Sequence, residues 1–103
     1  MKQIVIGIDY DDTITLDIDK WKEIIKFMSN LGFIIYIVTY RESTQFKDMD
    51  LNIEGVTDYL FTNANGKRKY CEDCGIEIDI WIEDTPESIL FDYKGLLKNL
   101  EIK

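Results

Sequence analysis

IVIGIDYDDTITLD, residues 4–17, decides how the rest of this chain is read. A short apolar run ends abruptly in three carboxylates, Asp9, Asp11 and Asp12, followed by Thr13. The run has strand length and no polar alternation, which predicts a strand buried on both faces, as in parallel sheets. Like charges crowded where a buried strand emerges repel one another unless a cation or a transferable proton compensates them. The cluster therefore predicts a site rather than a solvated face.

Outward from that stretch, strand-length apolar runs recur as FIIYIV at 33–38, YLF at 59–61 and IDIWI at 78–82. Between the first two runs, Trp21, Ile24, Ile25, Met28 and Leu31 share one helical stripe, with Asp17 or Asp19 as cap and Gly32 closing the helix. A second helix is predicted over 43–51, with Phe46 and Met49 inward. A third runs from near Gly66 to Gly75 with Tyr70, Cys71 and Cys74 on its inner side, and Leu96, Leu97 and Leu100 mark a last amphipathic helix. Trp21 and Trp81 read as core. Strands and helices alternating at this length specify an α/β fold: a three-layer α/β/α Rossmann-like arrangement around a central parallel sheet, with right-handed crossovers.

The 103 residues make room for one domain, spanning 1–103, with a core large enough to fold unaided but none to spare for a second domain. A composition 46% hydrophobic and 31% charged argues against disorder. The net charge of −8 repels polyanions over most of the surface, which excludes a general nucleic-acid binder. No stretch has the length of a membrane span and none has the pattern of a signal peptide, so a cytoplasmic location is expected, with no membrane partner. Cys71 and Cys74 lie too close along a helix for an unstrained disulfide, and with no histidine in the chain they cannot complete a zinc site. Reduced core thiols are the expectation.

In parallel sheets the ligand crevice lies beyond the carboxyl ends of the strands. Here those ends read Asp9 to Thr13, Thr39 to Arg41, Thr62 to Lys67, and Glu83 to Asp84. Each apolar run gives way to carboxylates, hydroxyls or single cationic heads, the groups that bind phosphate or a hard divalent cation. Taken singly, an acidic run after a strand is often a turn, and Thr39 is more often a strand-end hydroxyl bonding local backbone. Four such ends in one chain weigh against those readings.

These residues, in this order, resemble the four short motifs of the haloacid dehalogenase-like hydrolase superfamily, and they span nearly the whole chain. Asp9, Tyr10, Asp11, Asp12 and Thr13 match its DxDxT motif after an apolar strand, and Val38 and Thr39 match the strand ending in threonine. Lys67 in NGKRKYCEDCGI matches the lysine at a helix start, chosen over Arg68 and Lys69, and Glu83 and Asp84 in IWIEDTPES match the acidic pair. Two positions depart from the commonest pattern: Asp12 stands where many relatives have glycine, and Glu83 where an aspartate is common.

The resemblance implies a phosphatase that forms an aspartyl-phosphate on Asp9, with Asp11 protonating the leaving oxygen and later activating water. It implies Mg2+ held by Asp9, the backbone carbonyl of Asp11 and Asp84, with Glu83 a direct or water-mediated partner. Thr39 and Lys67 would bind the phosphoryl group, with Lys67 stabilising charge throughout transfer. Apart from the resemblance, Tyr40 and Arg41 are candidate substrate contacts, Arg41 of second rank because an exposed arginine opening a loop is at least as often solvated. The superfamily places specificity in cap insertions, and both insertion points are short here, which implies an open site. Such a site admits a small phosphomonoester, a nucleotide or sugar phosphate being the leading expectation, and can be closed by a second copy of the chain. The alternatives are a phosphatase or phosphotransferase for protein or polynucleotide ends, and a non-hydrolytic module that binds magnesium and phosphate for regulation.

Overall fold

The computed structural model describes residues 2–95. Strand β1, Val5–Ile8, leads through a single 3-10 turn, Ile14–Leu16, into helix α1, Ile18–Asn30. Strands β2, Ile34–Thr39, and β3, Val56–Phe61, follow, then helix α2, Lys67–Asp73, strand β4, Ile80–Ile82, and the short helix α3, Glu87–Leu90. All strand pairs are parallel and the spatial order is β3-β2-β1-β4. The fold is thus α/β and Rossmann-like. The predicted last helix around Leu96, Leu97 and Leu100 lies outside the described residues.

The order contains one reversal of direction. The chain steps outward from β1 to β2 to β3 and then returns to the far side of β1 for β4. Strands β1 and β4 therefore flank the topological switch point, where the connections leaving their carboxyl ends diverge and open a crevice.

Two cores cover the two faces of the sheet. Ile6, Ile8, Tyr10, Ile14, Ile25, Ile35, Ile37, Met49 and Ile53 form one beneath α1. Val38, Leu60, Cys71 and Ile78 form the other beneath α2, joined by Trp81 and Tyr36. Gly7 is required for the second core. A Cβ there would sit 3.1 Å from both the Trp81 ring and Ile78 Cγ2, closer than side chains ordinarily approach. The central strand can thus lie under the indole only without a side chain.

Helix α1 begins where expected: Asp17 is its cap and accepts the Lys20 N–H at 3.2 Å. Gly32, with φ of 98°, turns the chain out of the helix in the left-handed region. Its buried line is narrower than the predicted stripe. Ile18, Trp21, Ile25 and Met28 meet the sheet, while Ile24 and Leu31 lie one row outward and stay exposed. Cys74, also expected inside, caps α2 and is exposed, so only Cys71 is a core thiol. The edge strands depart from two-sided burial, since β4 leaves Ile80 exposed and β3 buries Leu60 alone.

The largest difference lies between β2 and β3. The predicted helix over 43–51 does not form, and the segment is a series of turns. Its backbone groups are claimed by side chains instead. Glu42 N–H donates to Gln45 Oε1 at 2.8 Å, Asn52 N–H to Asp50 Oδ1 at 2.9 Å, and Asp50 N–H to the Tyr10 hydroxyl at 2.9 Å. Met49 and Ile53 still reach the core beside α1, so the connection covers the sheet as a loop where a helix was expected. Among the described residues neither this connection nor the one after β1 carries an inserted domain. No helix among them is long and apolar enough to cross a membrane.

Candidate functional site

At the switch point the carboxyl ends of β1 and β4 are locked side by side, because Asp9 N–H donates to the Ile82 carbonyl at 2.9 Å. Asp9 is thereby held next to Glu83 and Asp84. One carboxylate oxygen from each of these three residues lies within 4.8 Å of the others. Gly66 caps α2 so that its first residue, Lys67, enters the same cleft with a side chain only 2% exposed.

Lys67 Nζ donates to Asp9 Oδ1 at 2.9 Å and to Glu83 Oε1. The Thr13 hydroxyl donates to the other Asp9 oxygen at 3.4 Å. Glu83 is more fully engaged than any other acid of the group: it also accepts the Ser88 hydroxyl at 2.9 Å and the Thr85 N–H at 3.3 Å. Its carboxylate is turned toward Lys67 and α3, whereas Asp84 is exposed at the mouth.

Charge does not balance here. One buried ammonium faces two buried carboxylates, with Asp84 adjoining. Burial, the largest cause, and a hydrogen bond shared with Asp84 push the Asp9 carboxyl up to about 8, against the pull of Lys67. Asp84 is held below the usual carboxylate range, chiefly by that same hydrogen bond from Asp9. An oxygen-only donor set with excess negative charge fits a hard divalent cation, and Asp9, Glu83 and Asp84 offer carboxylate oxygens close enough together to hold one.

The second strand end supplies Thr39, Tyr40 and Arg41. Thr39 is 1% exposed, and its hydroxyl oxygen accepts the Arg41 N–H at 3.3 Å. Among the described residues that hydroxyl donates to no protein group, which leaves its proton for a ligand. Tyr40 places its ring 5.6 Å from Lys67 Nζ and donates its hydroxyl to the Phe91 carbonyl, and burial pushes its phenol up to about 12. Asp12 adopts φ of 58°, a left-handed conformation that glycine favours and aspartate tolerates.

The cleft of about 180 Å3 brings together Asp9, Asp11, Thr39, Tyr40, Lys67, Glu83 and Asp84. Arg41 is not on its wall and instead grips Asp11 from behind. Arg68 and Lys69, the competitors of Lys67, point to solvent and pair with Glu72 and Asp73 of their own helix. Thr85, Ser88 and Tyr93 line the cleft without having been singled out in the sequence. The start of α3 was readable in the DTPES turn, since proline favours a first helical position; nothing local announces Tyr93.

Compared with family models, with curated proteins and with solved structures, the chain matches none.

Proposed function

We propose that this chain is a magnesium-dependent phosphatase of the haloacid dehalogenase-like kind, acting on a phosphomonoester through an aspartyl-phosphate on Asp9. The observation that carries the reading is the convergence of Asp9, Asp84, Lys67 and the unspent Thr39 hydroxyl on one cleft at the switch point. Passive binding needs no second acid, yet Asp11 lines the same cleft.

In the first step an Asp9 carboxylate oxygen attacks phosphorus, the bond from phosphorus to the leaving oxygen breaks, and that oxygen takes the Asp11 proton. In the second, water attacks phosphorus, the Asp11 carboxylate takes a proton from it, and the bond from Asp9 to phosphorus breaks. Phosphate leaves and both acids return to their starting forms. Lys67 holds positive charge beside Asp9 throughout, and Thr39 donates to a phosphoryl oxygen. Asp9, Asp84 and the Asp11 carbonyl would hold the magnesium, whose charge would let the Asp9 carboxylate approach an anionic phosphoryl group.

Two features narrow the substrate. The cleft is smaller than the roughly 300–1,000 Å3 of sites that enclose whole ligands, so it takes the phosphoryl group and leaves the remainder outside. Among the described residues that line the cleft, Lys67 is the one cation, against Asp9, Asp11, Asp12, Glu83 and Asp84. Among those residues a second phosphate on the substrate would find no further cation. A small monophosphate with an uncharged remainder, a nucleoside or sugar phosphate, suits this electrostatic setting better than a polynucleotide end.

The test is release of inorganic phosphate from para-nitrophenyl phosphate and a panel of phosphorylated metabolites, with and without magnesium. Activity is expected to need the metal and to vanish in Asp9→Asn. Equal turnover by Asp9→Asn, or magnesium binding with hydrolysis of no substrate in the panel, overturns the reading.

A further inference from the structure

We infer that Arg41 is a positioning residue for Asp11, a role that rests on the phosphatase reading, and that it does not itself grip substrate phosphate. Arg41 Nε donates to Asp11 Oδ2 at 2.9 Å and Nη2 to Asp11 Oδ1 at 2.6 Å, a two-pronged pairing that sets the plane of the carboxylate as well as its place. The remaining donors reach Asp48 Oδ1 at 2.5 Å, Asp48 Oδ2 at 3.3 Å and the Gln45 carbonyl at 3.0 Å. Five N–H groups meet five acceptors. None is left for a phosphate.

Asp11 needs such a support. Its side chain is 47% exposed, and among the described residues only Arg41 bonds it. Free of Arg41 it would sample several rotamers, and a proton donor misplaced by an ångström loses much of its effect. The Arg41 side chain is only 17% exposed, and its guanidinium carbon lies 5.7 Å from the centre of the buried Tyr10 ring. Each Asp11 oxygen accepts one N–H and keeps a further lone-pair site for the reacting groups.

The loop explains its own irregularity on this view. The turns between β2 and β3 replace the expected helix because the Gln45 carbonyl and Asp48 are wrapped around the Arg41 side chain. The segment buttresses Asp11 from behind the cleft.

The experiment compares kcat/KM, which reports the first step, for two phosphomonoesters in the presence of magnesium. Para-nitrophenyl phosphate has a leaving group that departs without a proton; benzyl phosphate has one that needs it. In Arg41→Gln, kcat/KM for benzyl phosphate should fall on the order of a hundredfold, and for para-nitrophenyl phosphate by less than about tenfold. Arg41→Lys, which keeps the charge and loses the fork, should show the same selectivity to a smaller extent. In an Asp11→Asn background Arg41→Gln should remove nothing further. Equal losses on both esters, a shared rise in KM alone, or full additivity with Asp11→Asn overturns the inference while leaving the phosphatase reading intact. Turnover of neither ester by the unaltered protein overturns both. Should the Arg41 variants fail to fold by circular dichroism, Asp48→Asn decides, since it removes only the exposed outer anchor. A selective loss on benzyl phosphate is then expected, and its absence overturns the inference.

Discussion

Lys67 Nζ lies 2.9 Å from Asp9 Oδ1, although fifty-eight residues separate the two in the chain. The Lys67 ammonium would not be stable at that depth alone, because a buried ion without a partner is strongly disfavoured. Acceptors on Asp9 and Glu83 make it tolerable, and the helix that carries Lys67 is thereby tied to the end of the strand that precedes Asp9. Glu83 joins from β4, so one ammonium links three elements across the switch point.

Removing that ammonium should be costly. Lys67→Met leaves Asp9 and Glu83 buried without their cation, and a loss of about 3–5 kcal/mol in urea unfolding is expected. Lys67→Met combined with Glu83→Gln should recover part of it. A single variant as stable as the unaltered protein would show that the pair is unimportant to the fold.

Asp9 should make the metal-free protein sensitive to pH. Its carboxyl titrates near 3.8 when unfolded and is pushed up to about 8 when folded, so between those values the folded state holds the extra proton. The contribution is therefore full below the lower value and is lost as pH rises through the upper one. Melting curves in chelator from acid to mildly alkaline pH should show that decline, and Asp9→Asn should flatten it. An unchanged slope in Asp9→Asn assigns the decline elsewhere.

Magnesium should oppose the same penalty. A cation bound only by the folded protein raises stability by roughly 2.7 kcal/mol at a hundredfold excess over Kd. A rise in Tm with added magnesium is expected, and Asp84→Asn should abolish it together with the heat of binding seen by calorimetry. Retention of both in Asp84→Asn would remove that residue from the metal site.

The Tyr10 hydroxyl accepts the Asp50 N–H at 2.9 Å and holds the loop that buttresses Asp11. Tyr10→Phe should cost about 1 kcal/mol and speed hydrogen exchange at the Asp50 amide. Unaltered exchange there would mean that the Tyr10 hydroxyl does not hold the loop.

The candidate site was largely legible in the chain because its signals are local. An apolar run that turns acidic at Asp9, one that ends at Thr39 and one that ends at Glu83 each mark the carboxyl end of a strand, whatever the partners. Helix α1 was legible for the same reason, from the Asp17 cap and the apolar spacing. The loop over 42–53 was not. Its polar residues have modest helix propensity, and the choice between helix and turns fell to Tyr10 and Arg41, whose donors and acceptors arrive only when the sheet forms. The same is true of Ser88 on Glu83, and of Tyr93 at the cleft.

By itself the sequence determined the kind of chain this is: alternating buried strands and amphipathic helices, with carboxylates, a threonine and a lysine at strand and helix ends. Those are properties of residue type and spacing. Which charges meet was decided only by the tertiary structure. The strand order brings β4 beside β1 and sets Asp84 against Asp9, and the loop carries Asp48 to Arg41 and, through it, braces Asp11. Coulomb coupling weakens with separation and hydrogen bonds need near-contact, so both depend on distances that no spacing along the chain encodes.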